Sequence, residues 1–220
     1  MPTNDPVDFP STTLILARHG QASGWRNGFY GPDAPLSDLG HRQAAALAEC
    51  LASDHVPDAV YSSNLPRALE TAAAVTARLG LEVKVDGRLA EFDVDMSMAS
   101  SIQDRVDRLS WHPDHTGADG ERLAEFASRV AQVHAEIATN HQRQRVAVIS
   151  HAGTIEMALR WALGIEPRTA WQAEFEGLRN ASITEVEHWS RGVMAGGAPR
   201  FSELKRIGDV AHLSGLVTDF

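Results

Sequence analysis

The chain is 220 residues long and 43% hydrophobic, which suits one large domain with a real core, and its single cysteine, Cys50, rules out an internal disulfide framework. A formal net charge of −9 leaves no broad cationic field to capture nucleic acid, so any anion must be held by local positive charge. No basic leader with an apolar run opens the chain and no stretch of about 18 apolar residues occurs, so a soluble cytoplasmic protein is expected, with neither nucleic acid nor membrane as partner.

Residues 1–11, with three prolines, read as a disordered lead-in, and order is expected from Thr12. The unbroken apolar run Leu14-Ile15-Leu16-Ala17 suits a strand covered on both faces of a parallel sheet. A helix follows, with Leu39, Gln43, Ala46, Leu47, Cys50 and Leu51 on its inner face and Ser37 or Asp38 as its cap. After a strand at Ala59-Val60-Tyr61 comes a second helix, opened by Asn64 and Pro66 and closed by Gly80, whose face is Leu65, Ala68, Leu69, Ala72, Val75 and Leu79.

Glu82-Val83-Lys84-Val85 alternates like a strand. The stretch 92–120 has no clean period and is expected to fold as a cap-like segment over one end of the sheet. A long amphipathic helix is expected over 122–137, a second buried strand at Val146-Ala147-Val148-Ile149, and a helix over 154–163 stopped by Gly164 and Pro167. Late strands are expected at 182–187 and 201–205. Alternating strands and helices without internal repeat predict an α/β protein: a three-layer α/β/α sandwich with a mostly parallel central sheet, forming a single domain over residues 12–220.

Ligands of open α/β sheets collect at the carboxyl ends of the strands. The polar residues standing there are Arg18, His19 and Gly20, then Ser62, Ser63 and Arg67, then Glu91, then Ser150, His151, Ala152 and Gly153. Two guanidiniums and the N–H groups of nearby helix starts make a phosphate pocket. An imidazole beside two permanent cations is expected to stay neutral, so His19 offers a lone pair as nucleophile. Arg18, Arg67 and His151 would neutralise phosphoryl oxygens while a protonated Glu91 supplies the leaving group's proton, with no metal required. Water activated by the same carboxylate would then hydrolyse the phosphohistidine.

Other readings of these residues are weaker. Arg67 alone could be a surface residue, yet a cation in the first turn of a helix opposes the helix dipole and calls for an anionic partner. The acidic group Glu91, Asp93 and Asp95 reads as a solvated edge rather than a magnesium site, and His112 and His115 as cap or surface residues rather than zinc ligands, for want of a second ligand pair.

At these positions the sequence resembles the histidine phosphatase superfamily, which includes the cofactor-dependent phosphoglycerate mutases. The matching motifs are Leu16-Ala17-Arg18-His19-Gly20, Pro35-Leu36-Ser37-Asp38-Leu39-Gly40 with Gln43-Ala44, Tyr61-Ser62-Ser63-Asn64-Leu65-Pro66-Arg67-Ala68 with Thr71-Ala72, Leu89-Ala90-Glu91, and Ser150-His151-Ala152-Gly153. The resemblance implies that His19 is phosphorylated, that Arg18, Arg67 and His151 bind the phosphate, and that Glu91 donates the proton. Because Phe92-Asp93 replaces the glycine that often follows the family's glutamate, Asp93 is the alternative donor. Where the family's mutases carry glutamate after Arg-His-Gly this chain has Gln21, and no adjacent arginine pair precedes His151. Both departures favour hydrolysis of a small phosphorylated metabolite, without cofactor, over isomerisation; a non-catalytic phosphate-binding module is the third possibility. Selectivity is expected from the 23–32 loop and the 92–120 segment.

Overall fold

Leu14 to Ala17 are all but inaccessible to solvent, the property that makes them the middle of the first strand, β1 (Ser11–Arg18). In the computed structural model of the protein, residues 10–24, 31, 33–54, 56–93, 116–165, 177–189 and 201–218 are described. Residues 1–9 of the expected lead-in lie outside them. Order begins one residue earlier than expected, since Ser11 already pairs with Trp189 and its hydroxyl donates to Glu187 at 2.9 Å.

The remaining elements are α1 (Asp38–Ser53), β2 (Ala59–Ser62), α2 (Pro66–Leu79), β3 (Val83–Val85), a 3-10 turn (Gly87–Leu89), α3 (Leu123–Asn140), β4 (Arg145–Ser150), α4 (Ala152–Leu163), β5 (Ile183–Trp189), β6 (Phe201–Asp209) and a last 3-10 turn (Ala211–Leu213). The sheet order is β3-β2-β4-β1-β5-β6. The first four strands are mutually parallel, and β5 and β6 each run antiparallel to the preceding neighbour. The apolar runs of β1 and β4 therefore occupy the centre, as expected.

Each face of the sheet carries its own helical layer. On one side Leu14, Leu16, Val146, Val148 and Val186 pack under α3 and α4 through Phe126, Val130, Ile155 and Leu159; on the other Ile15, Ala17, Val60, Ala147 and Ile149 pack under α1 and α2. This is the three-layer sandwich read from the sequence. Among the described residues no helix is long and apolar enough to cross a membrane.

Caps follow the residues that make them. Ser37 accepts from the Gly40 N–H at 3.1 Å and so opens α1, while Gly80 at φ 69° and Gly164 at φ 67° close α2 and α4 in the left-handed region. Asn64 does not cap α2; Leu65 holds the cap position with no side-chain bond, and Pro66 supplies the first helical residue.

Helix α1 is rotated from its expected face. Gly40, Ala44 and Ala48 are buried with Gln43, Leu47 and Leu51, while Leu39, Ala46 and Cys50 lie at the margin. The cause is close approach: a Cβ on Gly40 would collide with the carbonyl of Gln21, and one on Gly20 would come within 2.5 Å of the Gly40 carbonyl. Strand β6 is longer than its apolar pattern suggests, because its charged residues find partners on β5, Lys205 with Glu187 at 3.1 Å and Arg206 with Glu185 at 3.5 Å.

Two predictions follow from this packing. Gly40→Ala must push the α1 backbone off the loop after β1, at a cost of roughly 1–3 kcal/mol or more in urea unfolding, whereas Ala45→Ser on the exposed face of α1 should be near neutral. His134, fully buried in α3 with Nδ1 against the Val130 carbonyl at 2.7 Å, is held neutral by burial, which depresses its pKa from 6.5 to about 4. The unfolded chain takes up that proton first, so stability present above pH 6.5 is lost as pH falls toward 4. His134→Leu should therefore remove about 3 kcal/mol of the acid destabilisation measured between those pH values, beside a pH-independent repacking change.

Candidate active site

Strands β1, β2 and β4 end side by side, and the residues just beyond them converge. Arg18 pairs with Ser150 across the ends of β1 and β4, the His19 N–H donates to the Ser150 carbonyl at 2.9 Å, and the Ser63 N–H donates to the Ile149 carbonyl at 3.0 Å. The loops after β1, β2 and β4 are thus stitched to the last rungs of the sheet. His19, Arg67 and His151 are all buried, at 3%, 6% and 1% exposure, which none of them would be on an ordinary surface.

The tautomer of His19 follows from its partners. Its Nδ1 lies 2.6 Å from the Gly20 carbonyl, which can only accept, so Nδ1 carries the hydrogen and Nε2 the lone pair. That lone pair receives the Arg67 Nε–H at 3.2 Å. Burial, then the charges of Arg18 and Arg67, push the His19 pKa well below 6.5, and the ring is neutral at pH 7.

His151 sits with its ring centroid 5.1 Å from that of His19, and its Nε2 is 2.8 Å from the Ser63 hydroxyl. Burial and the same cations hold it neutral too. It therefore offers a hydrogen bond rather than the positive charge expected from sequence, and the permanent charge comes from Arg18 and Arg67. Arg18 is aimed by donating to the Leu178 carbonyl at 2.7 Å, and Arg67 by donating to Gly31 at 3.3 Å.

Glu91 stands at the start of α4. One carboxylate oxygen accepts from the Gly153 N–H at 2.9 Å and the other from its neighbour Phe92 at 3.0 Å. Burial raises its pKa against the lowering effect of those two bonds and of Arg67 and Arg18. Asp93, by contrast, is exposed, and its backbone carbonyl accepts from Ala118 at 2.7 Å. Asp95, His112 and His115 lie outside the described residues, as do most of the 23–32 loop and residues 94–115 of the cap-like segment. Among the described residues no three His, Cys, Asp or Glu side chains gather as a metal site.

Other residues build the shell around these groups. Thr71 accepts from the Gly20 N–H at 3.1 Å and donates to the Arg67 carbonyl at 2.8 Å, coupling the loop after β1 to the first turn of α2. Gln43 accepts from the Gln21 N–H at 2.7 Å and donates to the Leu216 carbonyl at 2.7 Å, and Asn180 donates to the His19 carbonyl at 3.2 Å. Thr71 and Gln43 stand in motifs noted in the sequence, but Asn180 gave no signal there, since it lies in an irregular stretch before β5 with no period.

Residues 14–195 match the sequence profile of the histidine phosphatase superfamily, branch 1. The chain belongs to this family. Glucosyl-3-phosphoglycerate phosphatase of Mycobacterium tuberculosis is 35% identical over 199 residues, spanning 81% of this chain and 87% of that protein. Phosphoserine phosphatase 1 of Hydrogenobacter thermophilus is 29% identical over 185 residues, spanning 79% and 85%. A solved structure of the mycobacterial glucosyl-3-phosphoglycerate phosphatase superposes with a TM-score of 0.70 at 28% identity, covering 81% of this chain and 91% of the other. The histidine phosphatase fold thus accounts for the sheet order and for the rim on which these side chains meet.

An anion at His19 Nε2 faces the Arg67 guanidinium. Replacing Arg67 by Ala should therefore weaken competitive inhibition by vanadate or inorganic phosphate by about 2 to 4 kcal/mol, with Arg67→Lys intermediate because it keeps the charge and loses the fork. Inhibition constants equal to wild type in both variants would return Arg67 to a structural role.

Proposed function

We propose that this histidine phosphatase-family chain hydrolyses phosphomonoesters of small metabolites through a phosphohistidine at His19. The observation that carries the mechanism is the Gly20 carbonyl on His19 Nδ1, which leaves Nε2 as an unprotonated nucleophile against Arg67 and within the field of Arg18. In the first step Nε2 attacks phosphorus, Arg18, Arg67 and His151 hold the phosphoryl oxygens, and the bond to the ester oxygen breaks as Glu91 delivers its proton to the departing alkoxide. In the second, the Glu91 carboxylate takes a proton from water, the hydroxyl attacks phosphorus, and the P–N bond returns its electron pair to Nε2. The raised pKa of Glu91 supports that role, because the acid must be protonated when substrate binds.

Hydrolysis is favoured over phosphoryl return to a second acceptor by what Gln21 does. Its side chain accepts from the Ser37 hydroxyl at 2.8 Å and its backbone N–H is held by Gln43, so it serves as scaffold. For the substrate, the named relatives suggest a class: glucosyl-3-phosphoglycerate and phosphoserine each join a phosphate ester to a carboxylate. Phosphorylated hydroxy and amino acids are the first compounds to assay. One catalytic domain over residues 12–220, capped by 92–120 and working in the cytoplasm, completes the reading.

Quenching turnover in alkali should trap an acid-labile phosphoryl group on the peptide containing His19, absent from His19→Ala; an adduct on His151 would sink the assignment. Glu91→Gln should lose roughly 10²–10⁴-fold on alkyl phosphates and far less on aryl phosphates, whose leaving groups depart unprotonated. On alkyl phosphates the wild-type rate should fall as pH rises through the elevated pKa of Glu91, and that limb should vanish in Glu91→Gln. Asp93→Asn showing the selective loss instead would move the donor two residues on.

A further inference from the structure

Glu91 is bonded at its carboxyl, but the backbone that carries it has no sheet partner. Strand β3 ends at Val85, and residues 86–91 run through a single 3-10 turn and then an irregular stretch. A side chain on such a stretch is only as well placed as whatever fixes the carbonyls beside it.

Those carbonyls are gripped by one residue of α3. The Arg129 NH1 group donates to the Arg88 carbonyl at 2.8 Å and to the Ala90 carbonyl at 2.9 Å. The other edge of the same guanidinium forms a fork with Glu121, Nε to Oε1 at 2.6 Å and NH2 to Oε2 at 2.8 Å. Its face lies 4.7 Å over the ring of Phe126, which in turn packs at 5.4 Å against Phe92, the residue following Glu91. The Ala90 carbonyl also receives the Thr154 hydroxyl at 3.2 Å, from the same turn of α4 whose Gly153 N–H binds Glu91.

Both charged partners are shielded, at 22% and 18% side-chain exposure, so the fork is not an ordinary surface pair. The charge of Arg129 helps lower the pKa of His151 but does not figure in the shift of Glu91, on which the guanidinium acts through the position of the backbone. Two carbonyls and both carboxylate oxygens call for four donors fixed in one plane, which a guanidinium has and an ammonium, with three, does not.

From this geometry we infer that Arg129 is a positioning residue for the proton-transfer step, holding the Arg88 and Ala90 carbonyls so that the Glu91 carboxyl stays fixed relative to His19. The inference rests on Glu91 being the proton donor. Losing the grip moves the acid while leaving the contacts of Arg18 and Arg67 in place, and Arg129→Lys keeps the charge that helps hold His151 neutral. The loss must therefore appear where protonation of the leaving group limits the rate and be small elsewhere.

The test compares Arg129→Lys, Arg129→Met, Glu121→Gln and Glu91→Gln on an alkyl phosphate and on p-nitrophenyl phosphate, with circular dichroism melting of each variant. Arg129→Lys and Arg129→Met should lose roughly 10–100-fold in kcat on the alkyl ester and less than about threefold on the aryl ester, with KM for each within about threefold of wild type. Glu121→Gln should show the same selectivity for the alkyl ester with a smaller loss. Should Arg129→Met fail to fold, Arg129→Lys and Glu121→Gln carry the same comparison. Equal losses on both substrates, or none on either, in folded Arg129→Lys overturn the inference if Glu91→Gln is selective for the alkyl ester. If Glu91→Gln is itself unselective, the proton-donor reading fails first; a selective Arg129→Lys would then show that the guanidinium positions a different acid.

Discussion

The two ring nitrogens of His19 cannot exchange roles in this fold, because the carbonyl of the very next residue can accept a hydrogen bond and cannot donate one. With Nδ1–H committed to Gly20, the lone pair on Nε2 has to face the Arg67 guanidinium. Burial and two cations then exclude the imidazolium form, which would otherwise dominate below pH 6.5. An imidazole that is neutral, oriented and next to permanent positive charge is the condition every other part of the site serves. His19 is held at its N–H by the Ser150 carbonyl, and its own carbonyl is held by the N–H of Ala181 at 3.1 Å and the side chain of Asn180 at 3.2 Å. Ala181 takes the left-handed conformation at φ 56° to make that contact, a strained geometry for a residue with a side chain.

Concentrating cations this way works against stability. Arg67 lies buried in the first turn of α2, where the helix dipole is positive, and no acidic side chain occupies that turn. A negative charge held beside Arg67 would complement both the guanidinium and the helix dipole. Glu91 faces the opposite balance at the start of α4: the Gly153 N–H favours the carboxylate, but burial outweighs it and the pKa rises. Burial in one cleft therefore lowers the pKa of His19 and raises that of Glu91, pushing each toward its neutral form.

Much of the frame was legible because burial leaves a pattern in composition. The runs at 14–17 and 146–149 are apolar on both faces since both faces are covered, and that placed β1 and β4 at the centre of the sheet. Gly80 and Gly164 marked helix ends because only they take the left-handed turn without strain. The site's main residues were legible because Arg18, His19 and His151 stand at the ends of β1 and β4 and Arg67 opens the helix after β2, where topology brings them to one rim, with Glu91 reaching it from the segment beyond β3. Helix α1 was misjudged by its largest apolar residues, since its inner face was chosen by closeness of approach, which selects Gly40, Ala44 and Ala48 over Leu39 and Cys50. The length of β6 was missed because its pairing rests on charged side chains meeting β5, and polar alternation carries no mark of what lies opposite.

The sequence by itself determined the layer order, the strand-end positions of Arg18, His19, Arg67, Glu91 and His151, and the kind of chemistry those groups support, because all of these depend on residue type and local spacing. Tertiary structure alone decided which ring nitrogen of His19 carries the lone pair, that His151 is neutral, that Asp93 is exposed while Glu91 is held against α4, and that Arg129 and Asn180 reach the backbone of residues far away in the chain. Protonation state and aim are set by burial and by partners brought from other elements, at sequence separations of 39 for Arg129 and Ala90 and 161 for Asn180 and His19, and no local pattern encodes an encounter over such distances.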